Sequence, residues 1–319
     1  MSLKASFIVP AYNAEASVAR CINSIQNQSY NNFEIIVVDD GSLDRTGEIL
    51  DEIALKDGRV KVYHEENRGV SAARNFALKK VTGDVVLFVD ADDLVLKEYL
   101  EKMINILQQE DVDLAICNYM ELNCNNVAET WNPLSSNSYV VNVEKQYDFM
   151  ANYAHYMVWA AIYKVGILQD LAFDIDLYVA EDSLFFSRVL KRCQRIAVTD
   201  SKWYGYVIYP TSACHGEFNE KKYTEIIAWK RIVELFTDKS SVTYVSSREA
   251  LALRCFLAIR KACVVNPRMF TMEADMLKEA RKNWKYFMKS GFGLKIKLNY
   301  TVWCVFPTFF CNHIEKKRI

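Results

Sequence analysis

Over the first ~120 residues, short apolar β-branched runs alternate with stretches whose apolar residues recur at helical spacing. The pattern predicts strands over Ser6–Val9, Glu34–Val38, Val60–Tyr63, Val85–Asp90 and Val112–Cys117, with helices at about 14–27, 44–56, 70–80 and 97–109 between them. Each strand is nearly continuous in apolar character, as expected where helices cover both faces of a sheet. Asn13 is read as a cap before the first helix, and Ser42 with Asp44 as opening the second. Strand–helix–strand alternation predicts an open, mostly parallel α/β sheet. Ligands in such sheets sit beyond the carboxyl ends of the strands, so chemistry is expected there.

From about 121 to 215 the pattern is less regular, with loops expected at Asn123–Asn126 and Asn132–Ser138 and a helix over Leu184–Leu190 after Glu181-Asp182. Beyond about 220 the chain reads as helices at roughly 221–237, 246–265 and 272–289. Ile226, Trp229, Val233 and Phe236 share one face of the first, and Ala252, Phe256, Ile259 and Cys263 repeat the device in the second. The segment Asn299–Cys311 is strongly apolar and aromatic, with Lys289, Lys295 and Lys297 before it and Lys316-Lys317-Arg318 after it. It is too short to cross a bilayer, which needs about 20 apolar residues, and Pro307 interrupts it. Two readings stand side by side: peripheral contact with the membrane interface, or packing on the preceding helices or a partner subunit.

Composition narrows the function classes. Hydrophobic residues make up 51% and charged residues 25% of the 319, which excludes a disordered chain. A net charge of -1, from 39 basic and 40 acidic residues, gives no electrostatic case for a nucleic-acid partner. Nine cysteines without a C-x-x-C pair argue against a disulfide framework or a zinc knuckle and fit reduced thiols in the cytoplasm. The chain enters an apolar strand almost at once, so no signal peptide is expected.

Three strands end in residues that carry chemistry: Phe7-Ile-Val-Pro-Ala-Tyr-Asn13, Ile35-Ile-Val-Val-Asp-Asp-Gly-Ser42 and Val85-Val-Leu-Phe-Val-Asp-Ala-Asp-Asp93. In an extended segment residues two apart point the same way, so Asp90 and Asp92 are expected to face one pocket with Ala91 turned aside. Two hard oxygen donors suit Mn2+ or Mg2+, which keep several waters and accept phosphate oxygens as further ligands. A solvated acidic turn before the helix near 97 is the plain alternative. A carboxylate of Asp39-Asp40-Gly41-Ser42 can accept the N3–H of a uracil ring beside a tight glycine turn, or the same residues can simply cap a helix. Asn67-Arg68-Gly69 leads into a helix N-terminus that suits an anion, with Arg74 adding fixed charge; Arg74 equally suits a buried pair with one of the aspartates. Neither G-x-G-x-x-G nor G-x-x-x-x-G-K-[ST] is present, which disfavours a dinucleotide oxidoreductase and a P-loop NTPase.

In this order and spacing, Ile8-Val-Pro-Ala-Tyr-Asn13, Val37-Val-Asp-Asp-Gly-Ser42, Asn67-Arg-Gly…Ala-Arg-Asn75 and Asp90-Ala-Asp-Asp93 resemble the family-2 glycosyltransferases with the GT-A fold, over about residues 4–215. The resemblance implies a Rossmann-like mixed, mostly parallel sheet flanked by helices, and the helical pattern after 220 adds a C-terminal helical extension that lies outside it. The GT-A domain divides into a nucleotide-sugar-binding half at 1–120 and an acceptor-binding half at 121–219, with the helical region at 220–319 beyond it. The resemblance also implies a nucleotide-sugar donor, a UDP-sugar by the family pattern, with Pro10, Ala11, Tyr12, Asp39, Arg74, Asp90 and Ala91 at the donor and Asp92 as the carboxylate for the divalent cation. Ala180-Glu181-Asp182 looks like the family's later acidic pair, which makes Asp182 the general base for an inverting transfer to a glycan or lipid-linked hydroxyl in surface polysaccharide synthesis. An acid at a helix start, favoured by the helix dipole, is the alternative for Asp182.

The stretch from Trp203 to His215 only loosely matches the family. His215 is read either as a metal or phosphate contact or as satisfying local hydrogen bonds. Trp131, Trp159, Trp203 and Tyr204 are candidates for stacking on sugar rings, with core packing the alternative for each. Among rivals, a nucleotidyltransferase lacks here the Gly-rich start followed by a basic residue, and an aspartyl phosphatase carries its D-x-D on the first strand. A non-catalytic nucleotide-sugar-binding module also fits.

Overall fold

Among the described residues the apolar runs fold into a nine-stranded sheet in the order Val60–His64, Phe33–Asp39, Ala5–Ala11, Val85–Phe88, Ala161–Lys164, Leu114–Asn123, Arg195–Ile208 and Leu94–Val95, with Ser138–Asn142 paired to Arg195–Ile208. The structure, a computed structural model, describes residues 2–127, 131–133, 138–142, 157–209, 220–265 and 270–314. It has two compact units. The first holds the sheet and takes in residues to 146, 156–175 and 185–210; the second takes in 147–155, 176–184 and 211–319.

In the first unit β1 (Ala5–Ala11), α1 (Val18–Gln26), β2 (Phe33–Asp39), α2 (Thr46–Lys56), β3 (Val60–His64), α3 (Val70–Leu78) and β4 (Val85–Phe88) follow the predicted alternation. These four strands are parallel, with β1 between β2 and β4; Ile8 pairs with Ile36 on one side and Phe88 on the other. Every residue of β1, β2 and β4 is buried, the burial that their unbroken apolar runs implied. Next come β5 (Leu94–Val95), α4 (Tyr99–Gln109), β6 (Leu114–Asn123), β7 (Ser138–Asn142) and β8 (Ala161–Lys164). The sheet becomes mixed here, because β8 runs antiparallel to both β4 and β6.

Several local expectations change. Helix α1 begins at Val18, not near 14, and Asn13 does not cap it. Asn13 adopts a positive φ of 47° and its Oδ1 accepts the Leu43 N–H at 2.8 Å, which ties the β1 loop to the β2 loop. Ser42 Oγ accepts the Asn13 N–H at 3.0 Å, whereas Asp44 does meet the Thr46 N–H at the start of α2, also at 3.0 Å. Strand β6 runs on through Asn123 after register shifts between Ile116 and Tyr119. The 14-residue strand β9 (Arg195–Ile208) has no counterpart in the sequence pattern, since Thr199-Asp200-Ser201-Lys202 breaks its apolar run. Pairing with β5, β6 and β7 makes it a strand.

Residues 176–184 of the second unit include the first turn of α5 (Glu181–Leu190). Its other described helices are α6 (Thr224–Leu235), α7 (Val242–Val265), α8 (Phe270–Lys289), α9 (Leu294–Val305) and α10 (Pro307–Ile314). Ile226, Trp229 and Val233 of α6 and Ala252, Phe256 and Ile259 of α7 are buried as their spacing predicted. The aromatic C-terminal segment divides its residues. Tyr300, Trp303, Cys304, Phe310 and Cys311 are buried, with Tyr300 stacked on Phe287 of α8 at 3.9 Å, so packing on the preceding helices is the right reading for these side chains. Val305, Phe306 and Phe309 are exposed. His215 and Lys316-Lys317-Arg318 lie outside the described residues. The seven cysteines whose side chains are described are free thiols.

The N-terminal ends of the parallel strands are joined by one carboxylate. Glu34 of β2 is buried and accepts Ser6 Oγ of β1 at 2.7 Å, Lys61 Nζ of β3 at 2.7 Å, and the N–H and hydroxyl of Thr82 just before β4, both at 2.8 Å. Burial by itself would raise its pKa, but the bonds from Lys61, Ser6 and Thr82 outweigh it and hold the group at about 2. A carboxyl depressed from its ordinary 4.5 to about 2 adds stability above the higher value and loses it as pH falls towards the lower one. Glu34→Gln is therefore expected to lower stability at neutral pH by about 1–3 kcal/mol. In denaturant titrations the gap between variant and wild type should narrow as pH drops below 4.5.

Candidate active site

At the other end of the same strands the tips of β2 and β4 flank β1. Strands about 4.8 Å apart place these two tips roughly 10 Å from one another, the span of a small polar ligand. Pro10 and Ala11 end β1 in buried backbone, and Tyr12 follows with about half of its surface exposed.

Asp39 and Asp40 end β2 and divide their work. Asp39 is buried; its Oδ1 accepts the Ser42 N–H at 3.1 Å and its Oδ2 lies 2.9 Å from His64 Nδ1. His64 Nε2 reaches Asp51 at 3.2 Å, and the bond to Asp39, with this second one, raises the imidazole pKa against a smaller opposing effect of burial. Asp40 turns to the loop before α3, where its two oxygens accept the Arg68 and Gly69 N–H groups at 2.9 and 2.8 Å. These amides at the helix entrance thus already hold an anion, and it is the chain's own. Gly41 lies between, at φ 69°, where a Cβ would stand 2.7 Å from the Asn67 nitrogen. The loops after β2 and β3 can approach this closely only because that position has no side chain.

Arg74, on α3, is the buried partner of Asp90. Its Nη2 lies 2.8 Å from Asp90 Oδ1, and its guanidinium sits 5.3 Å from the centre of the Phe173 ring. Strand β4 stops at Phe88, two residues before the expected end, and Asp90–Asp93 form a turn closed by Asp93 N–H to Asp90 O at 3.0 Å. Asp90 and Asp92 are therefore neighbours through a turn, and not through the alternation of an extended strand. Ala91 is buried, and burial first, then the charge of Asp90, pushes the Asp92 carboxyl up to about 6.

Three residues that hold this turn in place stood outside the sequence reading of the site or in another role. Asp93, quoted there only as the end of the motif, is 1% exposed; its Oδ2 accepts Tyr204 Oη at 2.6 Å and its Oδ1 accepts the Val207 N–H at 2.8 Å. Burial and the two neighbouring aspartates hold its pKa well above the usual carboxylate range. Tyr204 Oη also lies 3.3 Å from the Asp90 N–H, which it accepts. The ring of Tyr204 is fully buried and stacks on Trp159 at 4.9 Å, so core packing describes both. Trp203 is buried too, and Trp131 Nε1 donates to the Lys202 carbonyl at 2.6 Å. The third is Arg20 of α1, which donates from Nη2 to the Asp92 carbonyl and to Tyr209 Oη, each at 3.3 Å. No local pattern marks a helical arginine 72 residues upstream as a neighbour of that turn.

Pro10, Ala11, Tyr12, Asp39, Arg74, Asp90, Ala91 and Asp92 all belong to the first unit, while Asp182 belongs to the second. There it stands in the first turn of α5, where its Oδ1 accepts the Ser183 N–H at 2.6 Å. A cavity of about 460 Å³ beside α3, lined by Asn75, Lys79, Gln169, Asp170 and apolar neighbours, contains none of these carboxylates. Among the described residues no group of three or more His, Cys, Asp or Glu side chains could hold a metal ion.

A sequence model described as Glycosyl transferase family 2 matches residues 6–172, just over half of the chain and every strand tip described above. The chain belongs to that family. The chain is also similar to "Glycosyltransferase GlyA" of Streptococcus pneumoniae, 33% identical over an alignment of 217 residues that covers 64% of this chain and 30% of the relative. The chain spans less than two-thirds of the length of the curated relatives it matches. Its fold is GT-A, shared with TarS of S. aureus, solved in complex with UDP-GlcNAc, at a TM-score of 0.73 and 22% identity over 98% of this chain and 90% of that one. The mannosyltransferase PcManGT of Pyrobaculum calidifontis, solved with GDP-Man and Mn2+, overlaps at a TM-score of 0.56 and 17% identity, covering 98% of this chain and 86% of that one.

Removing the Tyr204 hydroxyl takes a partner from both Asp93 and the Asp90 amide. Tyr204→Phe is expected to cost about 1–3 kcal/mol of stability in a chemical denaturation experiment, since both groups are poorly hydrated.

Proposed function

We propose that the chain is an inverting glycosyltransferase that moves a sugar from a nucleotide-sugar, a UDP-sugar, to a hydroxyl of a glycan or lipid-linked acceptor in surface polysaccharide synthesis. The observation that carries this reading is the set of carboxylates at the tips of the two parallel strands that flank β1 in a family-2 chain, with Asp39 ending β2 and Asp90 and Asp92 following β4. Asp39, held by His64 and Ser42, receives the N3–H of the base, with Pro10, Ala11 and Tyr12 lining the same edge. Asp90, fixed by Arg74, and Ala91 lie at the ribose and diphosphate. The chain resides in the cytoplasm, in peripheral contact with the membrane.

The donor set fits a hard divalent cation. Asp92 is a carboxyl whose burial and nearness to Asp90 disfavour its charge, and a cation reverses that balance. Mn2+ or Mg2+ commonly takes only one or two carboxylates and completes its shell with water and substrate phosphates, so a cluster of three protein ligands is not required. When bound at Asp92, such an ion offsets the charge that develops on the departing diphosphate.

The chain's own contribution to the transfer is orientation and proton removal. Asp182 takes the proton from the acceptor hydroxyl as its oxygen bonds to the anomeric carbon. The bond from that carbon to the diphosphate oxygen breaks, and the nucleoside diphosphate leaves from the opposite face with inversion. Its place at the start of α5 favours an ionised carboxylate, as a base requires.

Incubation with Mn2+ and a panel of UDP-, GDP- and dTDP-sugars is expected to release UDP from UDP-sugars; release of pyrophosphate or free phosphate would favour a nucleotidyltransferase or a phosphatase. Asp182→Asn should lower transfer by about 10²–10⁴-fold, the contribution of a positioned base, with an unchanged melting curve. Asp92→Ala should abolish the response to Mn2+. Full turnover by the Asp182 variant would remove that residue from its role.

A further inference from the structure

The second unit presents a face that the transfer reaction does not use. On α9, Leu294, Leu298, Thr301 and Val305 recur at intervals of three and four, so they form one stripe, and Tyr300, Trp303 and Cys304 turn to the opposite side. Tyr300, Trp303 and Cys304 are buried, as globular packing requires, but the leucines and the valine of the stripe are not. Leu294 is 72% exposed, Leu298 56% and Val305 55%, and the stripe runs on to Phe306, 63% exposed before the first turn of α10. Trp284 of α8 joins it, 40% exposed, with Nε1 donating to Thr301 Oγ1 at 3.2 Å in the middle of the stripe. Water gains nothing from solvating such a continuous apolar strip, so the face is fitted to a partner.

Charge identifies the partner. From Ala280 to Ile314 the chain holds six Lys and Arg residues and no Asp or Glu. Lys285 and Lys289 of α8, one and five residues after Trp284, and Lys295 of α9, next to Leu294, are exposed. Lys297, next to Leu298, donates to the Ser290 carbonyl at 2.7 Å. A second copy of the chain docked symmetrically through this face would bring Lys285, Lys289 and Lys295 against their own counterparts, and Glu249, the carboxyl near Lys297, is only partly exposed. An apolar strip about one helix wide, edged by lysines and carrying a tryptophan, is instead matched to the interface of an anionic bilayer, where apolar side chains enter the acyl boundary and ammonium groups meet the headgroups. Among the described residues no helix is long and apolar enough to cross a membrane, so the contact is lateral.

We propose that the exposed face of α9, continued by Phe306 and Trp284, docks the protein on an anionic lipid surface with α9 lying in the plane of the interface. This deepens the peripheral contact in the proposed function and is tested without donor or acceptor. Failure of vesicle binding therefore leaves the transfer reaction standing, and absence of UDP release leaves the docking face standing.

The test is co-sedimentation of the full chain with phosphatidylcholine vesicles, pure or with roughly one-third phosphatidylglycerol. The wild type is expected to sediment with the anionic vesicles at least about tenfold more than with neutral ones and to be released by high salt. Leu294→Glu/Leu298→Glu should abolish sedimentation. Lys285→Glu/Lys295→Glu, which leaves the apolar strip intact and alters only exposed side chains, should weaken binding by at least roughly 25-fold, about fivefold per lysine, with an unchanged melting curve. The second pair keeps the test decisive should the first fail to fold. Equal binding by wild type and the lysine variant, or no binding by the wild type to either vesicle, overturns the proposal. Sedimentation velocity that finds a wild-type dimer dispersed by the leucine variant, without vesicle binding, assigns the face to self-association and overturns it too.

Discussion

Like charges crowded into a poorly hydrated place repel, and the strand tips of this protein concentrate them: Asp39 and Asp40 after one buried strand, Asp90, Asp92 and Asp93 after another. Most of the local architecture answers that constraint, and each carboxyl is handled differently. Asp40 is met by two backbone amides, Asp39 by an amide and an imidazole, Asp90 by a guanidinium, and Asp93 by a phenol and an amide. Asp92 keeps the unfavourable position, its carboxyl raised by burial and by Asp90. Burial and the same crowded charges raise Asp93 as well, in spite of its bonds to Tyr204 and the Val207 amide.

The two ends of the parallel strands thus serve different purposes. At the N-terminal end Glu34 joins β1, β2, β3 and the entry to β4 through donors that are all part of the chain, and the result is a closed network. At the carboxyl end the loops after β2 and β3 meet where Gly41 faces Asn67, and the acidic tips of β2 and β4 stand about two strand spacings apart on either side of β1. Strand β9 returns from far along the chain to brace that end through Tyr204 and Val207, so the acidic turn is held by a strand that is not its sequence neighbour.

Much of this was legible in the sequence because short-range rules govern it. Unbroken Val/Ile runs are strands wherever both faces are covered, so β1 to β4 and the intervening helices followed from the pattern, and the ordered motifs at their ends led to the family. The faces of α6 and α7 followed from helical spacing for the same reason. What tertiary structure alone decided was every choice between two chemically sensible partners. Arg74 suits an anion or an aspartate equally well until α3 is set against the β4 tip, where it meets Asp90. Asn13 looks like a cap until the β2 loop arrives to take its side chain. Tyr204 and Arg20 act on the acidic turn across separations of 111 and 72 residues, β9 is a strand because of its neighbours and not its composition, and the aromatic residues near the C-terminus fall into core or surface only once α9 has a side to lean on. Periodicity fixes which residues share a face; it carries no information about what that face meets, because that is set by contacts between segments far apart in the chain.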